Sequence, residues 1–485
     1  MTTAPPRSLR VVQPHVQLMD PHLCNDDRSA LSLQAALYDP LVRRVDAERF
    51  APALATSWRV SDDACTWVFE LRDQVRAHDG EPFTPDDALA SLERVRDPSL
   101  GGVLGTEGVY ASYLADAEYR LSEARDGVRL RVKLARPMAD LLDLVCAMPM
   151  VPRRAHGRHA GGPVGTGPYR LVRRSHEAVV LARWDGYWGE RGRYEELTFR
   201  AEPMVEARAG AVQAGSADVA SHLSPALAHA LTGSHGVEVV ARTSSTCVVG
   251  FFDLLGRPPC SPVHDLRVRR ALHHASDVDA IVAEVLCGYA RRIAAPITAR
   301  SLGHDTGLKP YTHDPEQARA LLAEAGHADG CDLTLHVPTT LPDEAPALAE
   351  RLRRQWAEVG VRLQVKSHDD RPAYARMVRD KRIGDLSLFD SSPVSSYRLL
   401  VEKLQSSLQG LWWQGYANPE LDALVEQAAT IPATAARRDL YRRAFRLLHD
   451  DAPWLYLYSP DHLWLKSARL SGWEPSVDGL AIGRA

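Results

Sequence analysis

The chain has 485 residues, of which 45% are hydrophobic and 25% charged, with a formal net charge of −4. This composition suits a soluble globular protein of two or three domains with ample sequence for a core. It argues against a dedicated nucleic-acid binder, since no basic arm or stripe dominates, and no apolar run approaches the roughly 18 residues that span a bilayer.

The seven cysteines, at 24, 65, 146, 247, 260, 287 and 331, form no Cys-x-x-Cys pair. Zinc is not indicated, and buried or partly buried thiols are the simpler reading. Residues 1–10 hold no apolar stretch and no cleavage site, so they do not read as a secretory signal.

In chain order, residues 9–12 read as a first strand and 29–37 as a short helix. Residues 66–72, rich in β-branched and aromatic types, form a second strand. His78-Asp79-Gly80-Glu81-Pro82 is a turn: Asp-Gly tolerates φ > 0, and proline stops the ladder. Thr84-Pro85-Asp86-Asp87 opens a helix, with Thr84 as N-cap, Pro85 at the first position and two acids at the positive helix end. Residues 128–134 alternate apolar and polar, as a half-buried strand does. Gly165-Thr166-Gly167-Pro168-Tyr169 suggests a phosphate loop out of context, but the chain contains no Gly-Lys pair and so no Walker A motif.

Residues 265–279 are helical, with Asp265 as N-cap. His273 and His274 cannot both face one metal, because neighbours on a helix point about 100° apart; a structural pair is expected. Asp314-Pro315 starts another helix that Gly326 ends. Strand 333–337, helix 346–359 and strand 361–365 follow, a β-α-β order that predicts a parallel sheet. Residues 434–450 form an amphipathic helix, and 453–458 a strand.

The segment 54–87 resembles the family-5 extracellular solute-binding proteins, the oligopeptide-, dipeptide- and nickel-binding receptors of ABC importers. Its matches include Leu54, Ala55, Ser57, Trp58, Leu71, Arg72, His78, Asp79, Gly80, Pro82, Thr84 and Asp87. Met19-Asp20-Pro21, Tyr38-Asp39, Tyr110-Ala111-Ser112-Tyr113-Leu114, the Gly165–Tyr169 run, Tyr187-Trp188-Gly189 and residues 265–279 are similar to further motifs of that family, in the same order.

The resemblance implies an α/β, periplasmic-binding-protein-like fold (type II, cluster C) with two lobes and a hinge. The first lobe starts at 1–37, carries an inserted subdomain at 38–164 and continues through 165–250. The second covers 251–450, and 451–485 returns to the first. It further implies a peptide or peptide-like ligand enclosed in an interlobe cleft by hinge closure. Partners would be an ABC permease and ATPase subunits, in the periplasm or cell envelope, with no cofactor, no nucleic acid and no direct membrane span.

Candidate ligand contacts follow from the resemblance and from residue type. Asn25 and Asp26 fall where a loop should face the cleft. Tyr110 matches a ligand-touching tyrosine, with core packing as the alternative. In peptide receptors an acid four residues before a proline binds the peptide ammonium. Here Phe389 is four before Pro393 and Asp390 three before, and the family's tryptophan is missing. The ammonium site is therefore shifted to Asp390 or absent. Ser391 and Ser392 belong to a serine-rich loop in place of the usual acids. Trp412 and Trp413 either stack on ligand or plug the lobe. Arg398 and Lys403 pair with a ligand carboxylate or are solvated charges, and Tyr456 or Tyr458 lines the cleft. The alternative function is a cytoplasmic sensor or a recruited enzyme on the same fold, since residues 1–10 carry neither signal nor lipobox cysteine. No Gly-x-Ser-x-Gly, His-Glu-x-x-His or nucleophilic cysteine motif supports the enzyme.

Overall fold

The computed structural model describes residues 7–24, 27–100, 108–125, 127–159, 162–258, 260–340, 344–392, 394–470, 472–476 and 481–482. Asn25, Asp26 and Pro393 lie outside the described residues. The chain divides into two compact units, Met1–Arg242 with His462–Ala485, and Thr243–Asp461. The boundaries drawn from sequence, at 250/251 and 450/451, fall within the strand Cys247–Phe252 and at the end of the helix Thr434–Asp451.

In the first unit, strand Ser8–Gln13 pairs in parallel with Glu196–Ala201 on one side and Val219–Ser221 on the other. The antiparallel strands Ala178–Arg183 and Tyr169–Arg174 extend the sheet beyond Glu196–Ala201. Residues 464–466, at the C-terminal end of strand Trp454–Ser467, pair with Val219–Ser221. Helix Arg28–Leu37 starts where the Asp27 carboxylate accepts the Ala30 N–H at 3.0 Å, removing one orphan donor of its first turn. Its apolar face packs with Leu9, Val11, Phe199 and Trp464.

A separate four-stranded antiparallel sheet has the order Ala55–Val60, Thr66–Leu71, Gly127–Lys133, Glu118–Ala124. Trp67 is buried beneath it, with its indole N–H donating to the Met138 carbonyl at 3.2 Å. Helix Pro85–Val95 is held at its start by Asp87, whose carboxylate accepts the Thr84 N–H at 2.8 Å.

In the second unit, strands Val361–His368, Cys331–Pro338 and Leu386–Ser391 run parallel. Cys247–Phe252 joins antiparallel to Leu386–Ser391, and residues 454–458 of the long C-terminal strand join next. That strand therefore runs past the 453–458 expected from sequence, to Ser467. Helix Ala345–Ala357 supplies the β-α-β crossover, and its Trp356, fully buried, donates to Ser276 Oγ at 2.9 Å. Helix Pro315–Glu324 is capped by Asp314 and followed by Gly326 at φ +87°, a conformation glycine adopts without Cβ strain. His273 donates to the Trp454 carbonyl at 3.0 Å and His274 to the Thr312 carbonyl at 2.9 Å, the structural roles expected of them. Among the described residues no helix is long and apolar enough to cross a membrane.

Candidate functional site

The motifs that carry the resemblance converge on one buried carboxylate in the first unit. Asp39 is fully buried. It accepts from Arg43 at 2.9 Å, from the Trp188 indole at 2.9 Å, and from Tyr187 and Thr166 hydroxyls at 3.3 Å. Arg72 lies over the Trp188 ring, 4.2 Å from its centroid.

His78 ties the Asp-Gly turn to the Gly-Thr-Gly run. Its Nε2–H donates to the Gly167 carbonyl at 3.0 Å, and its Nδ1 accepts the Gly165 N–H at 3.2 Å. Burial lowers its pKa to about 4, so the ring stays neutral, as these two roles require. Gly165 is needed for close approach: a Cβ there would lie 2.0 Å from the Leu37 carbonyl oxygen. Asp20 of the Met-Asp-Pro motif is likewise used internally, paired with Arg94 at 2.5 Å. These residues are scaffold, and their hydrogen bonds are spent on one another.

The second unit presents a different environment at the C-terminal ends of its parallel strands, where open α/β sheets generally bind ligands. Asp390 is the penultimate residue of strand Leu386–Ser391 and pairs with Arg371 at 2.7 Å. Arg371 opens helix Arg371–Arg379, and its guanidinium lies 4.5 Å from the Phe389 ring centroid and 5.8 Å from that of Tyr374. The Asp390 side chain remains 29% exposed and that of Arg371 17%. Ser391, buried, accepts from the Lys403 ammonium at 2.9 Å. Ser392 is exposed, and its carbonyl accepts from Ser245 Oγ at 3.3 Å.

His336 and His368, on the neighbouring strands, stack with ring centroids 5.0 Å apart and share a hydrogen bond of 2.8 Å. Burial, then the positive potential of His368, brings His336 down to about 4. The nitrogens facing each other are donor and acceptor, so they do not form a two-nitrogen metal clamp. Among the described residues no cluster of three or more His, Cys, Asp or Glu could hold a metal ion.

The remaining expected contacts are placed as follows. Tyr110 is buried and donates to the Ala147 carbonyl at 3.1 Å, which is the packing alternative. Trp412 is buried against Phe389, centroids 5.2 Å apart, and plugs its unit. Trp413 is half-buried and donates to the Tyr416 carbonyl at 2.6 Å. Arg398 forms an ion pair with Glu402 at 2.9 Å and is not a solvated charge. Tyr456 donates to the Leu448 carbonyl at 2.7 Å and Tyr458 to Glu344 at 2.9 Å, both within the core. Lys403 is 6% exposed, which corrects the reading of it as a solvated charge.

Sequence reasoning missed Arg371. Its signal was present: an arginine at the first position of a helix faces the positive end of the helix dipole and calls for an acidic neighbour. That neighbour, Asp390, lies on another element.

The family model described as "Bacterial extracellular solute-binding proteins, family 5 Middle" matches residues 49–397. The dipeptide-binding protein of Escherichia coli (strain K12) is 25% identical over 449 residues, 87% of this chain and 83% of that one. The glutathione-binding protein GsiB of Pectobacterium atrosepticum is 26% identical over 482 residues, 95% and 90% of the two chains. Among solved structures, HbpA2 from Haemophilus parasuis matches with a TM-score of 0.83 at 21% identity, covering 98% of each chain. The structural likeness shows the periplasmic-binding-protein-like α/β fold that the sequence led us to expect.

Proposed function

Given that the chain belongs to the bacterial extracellular solute-binding proteins of family 5, we propose that it captures a peptide or peptide-like molecule at the Asp390–Arg371 edge of its second unit. It then delivers that molecule to the permease of an ABC importer, with ATP hydrolysed by a separate subunit. The relatives reported above are binding proteins and not enzymes. Their names, dipeptide- and glutathione-binding, support a ligand carrying an amine and a carboxylate.

The observation that carries this reading is the Asp390–Arg371 pair, partly exposed at a strand terminus. A zwitterionic ligand offers the same two charges in reverse. Its ammonium replaces Arg371 at Asp390 and its carboxylate replaces Asp390 at Arg371, so neither protein charge is left unpaired on binding. Phe389 and Tyr374 lie beside the Arg371 guanidinium and so limit the rotamer entropy lost on binding.

Asp390→Asn removes the charge with little change of shape. It should weaken an amine-bearing ligand by about 1–3 kcal/mol, the cost of losing a charge-assisted hydrogen bond. Isothermal titration with dipeptides measures this. An unchanged dissociation constant would remove Asp390 from the site.

A further inference from the structure

Lys403 is the last residue of helix Ser396–Lys403 and is 6% exposed. An ammonium carries three donors. Among the described residues one of them is used in a hydrogen bond, to the neutral Ser391 hydroxyl at 2.9 Å. The Phe251 ring, 6.0 Å away at its centroid, offers a weak further attraction. The neighbouring carboxylates are engaged elsewhere: Asp390 with Arg371 at 2.7 Å, Glu402 with Arg398 at 2.9 Å.

Cys247 faces Ser391 across the strand pair, fully buried, and burial pushes its thiol up to about 12, so it supplies no negative charge. A buried cation without an anionic partner is costly to keep. The cost registers in the ammonium itself, which burial pulls down to about 8. Ser391 lies between Asp390 and the exposed Ser392, so the Lys403 ammonium is held by the residue next to the proposed ligand edge.

We infer that Lys403 is a specificity-determining residue that receives an acid group of the ligand, so that the preferred ligand carries a side-chain carboxylate in addition to its terminal charges. This rests on the peptide-binding reading above and narrows it to acidic peptides and amino-acid conjugates. An arriving carboxylate takes the two remaining N–H donors and neutralises the buried charge. Among the described residues, Glu402 and then Asp390 favour the Lys403 ammonium from a distance and Arg398 opposes it, but none of them forms an ion pair with it.

The test uses an isosteric pair of dipeptides, Ala-Glu and Ala-Gln, which differ in one charge. Calorimetric titration of the full chain at pH 7 should show Ala-Glu bound about tenfold or more tightly. The preference should shrink as pH rises through about 8 to 9.5, because the ammonium loses its proton; titration of the peptide amine is common to both ligands and cancels in the ratio. Lys403→Met should abolish the preference for Ala-Glu over Ala-Gln, and Lys403→Arg should retain it. If Lys403→Met does not fold, the pH dependence of the unmodified chain decides. Equal affinities at pH 7, or a preference unchanged at pH 9.5, overturn the acid-recognition role and leave peptide binding standing. Failure of both peptides to bind overturns the peptide reading and this inference with it.

Discussion

Asp39 in the first unit and Asp390 in the second are both carboxylates near an arginine, yet their surroundings are opposite. Asp39 is fully buried and takes hydrogen bonds from Arg43, Trp188, Tyr187 and Thr166. Asp390 keeps 29% of its side chain in solvent and, among the described residues, is ion-paired with Arg371. A carboxylate with all its lone pairs occupied is part of the frame. A partly exposed one whose ion pair can be exchanged still has chemistry to offer. The residues that make the chain resemble its family fall in the first class. The residues where it departs from the family pattern fall in the second.

The sharpest way to break this contrast is to remove the first carboxylate. Asp39→Ala leaves Arg43 and three further donors without their acceptor, and it should cost about 3–5 kcal/mol of stability. Urea unfolding followed by tryptophan fluorescence measures this. A loss below about 1 kcal/mol would mean the node is not a frame.

A smaller effect is expected at Gly165, where the Cβ of alanine would lie 2.0 Å from the Leu37 carbonyl oxygen and 2.6 Å from the Tyr38 ring. Both neighbours are held, so Gly165→Ala should cost about 1–3 kcal/mol, as overpacking does. A full-strength melting transition in this variant would show that the two segments separate more easily than their hydrogen bonds suggest.

The smallest effect on folding should come from Asp390→Ala. The pair with Arg371 is partly solvated, so its loss should change stability by less than about 1 kcal/mol. A destabilisation as large as that of Asp39→Ala would place Asp390 in the frame and remove the contrast.

Much of the fold was legible from local signals. Thr84-Pro85 with Asp87, Asp265, and Asp314-Pro315 with Gly326 each mark a helix end by satisfying its orphan groups. The β-α-β order of 331–368 follows from alternating strand and helix patterns, and the two strands do pair in parallel. The candidate site was legible only in part. Asp390 stood out because it broke a family spacing. Arg371 lies 19 residues earlier, with a helix and a turn between, and no periodicity links the two. Tyr110, Trp412 and Tyr458 had the right residue types for ligand contact, but tyrosine and tryptophan look the same in sequence whether they face a ligand or a core.

The sequence by itself determined the family, the class of fold and the capped elements, because these depend on neighbours within a few residues and on the order of motifs. Only the tertiary structure decided which charges are spent. Asp39 draws its donors from residues 43, 166, 187 and 188, and Lys403 finds a serine where an acid would have neutralised it. Whether a buried charge is compensated depends on atoms a few ångströms away that come from distant parts of the chain, and the energy of that compensation is set by burial.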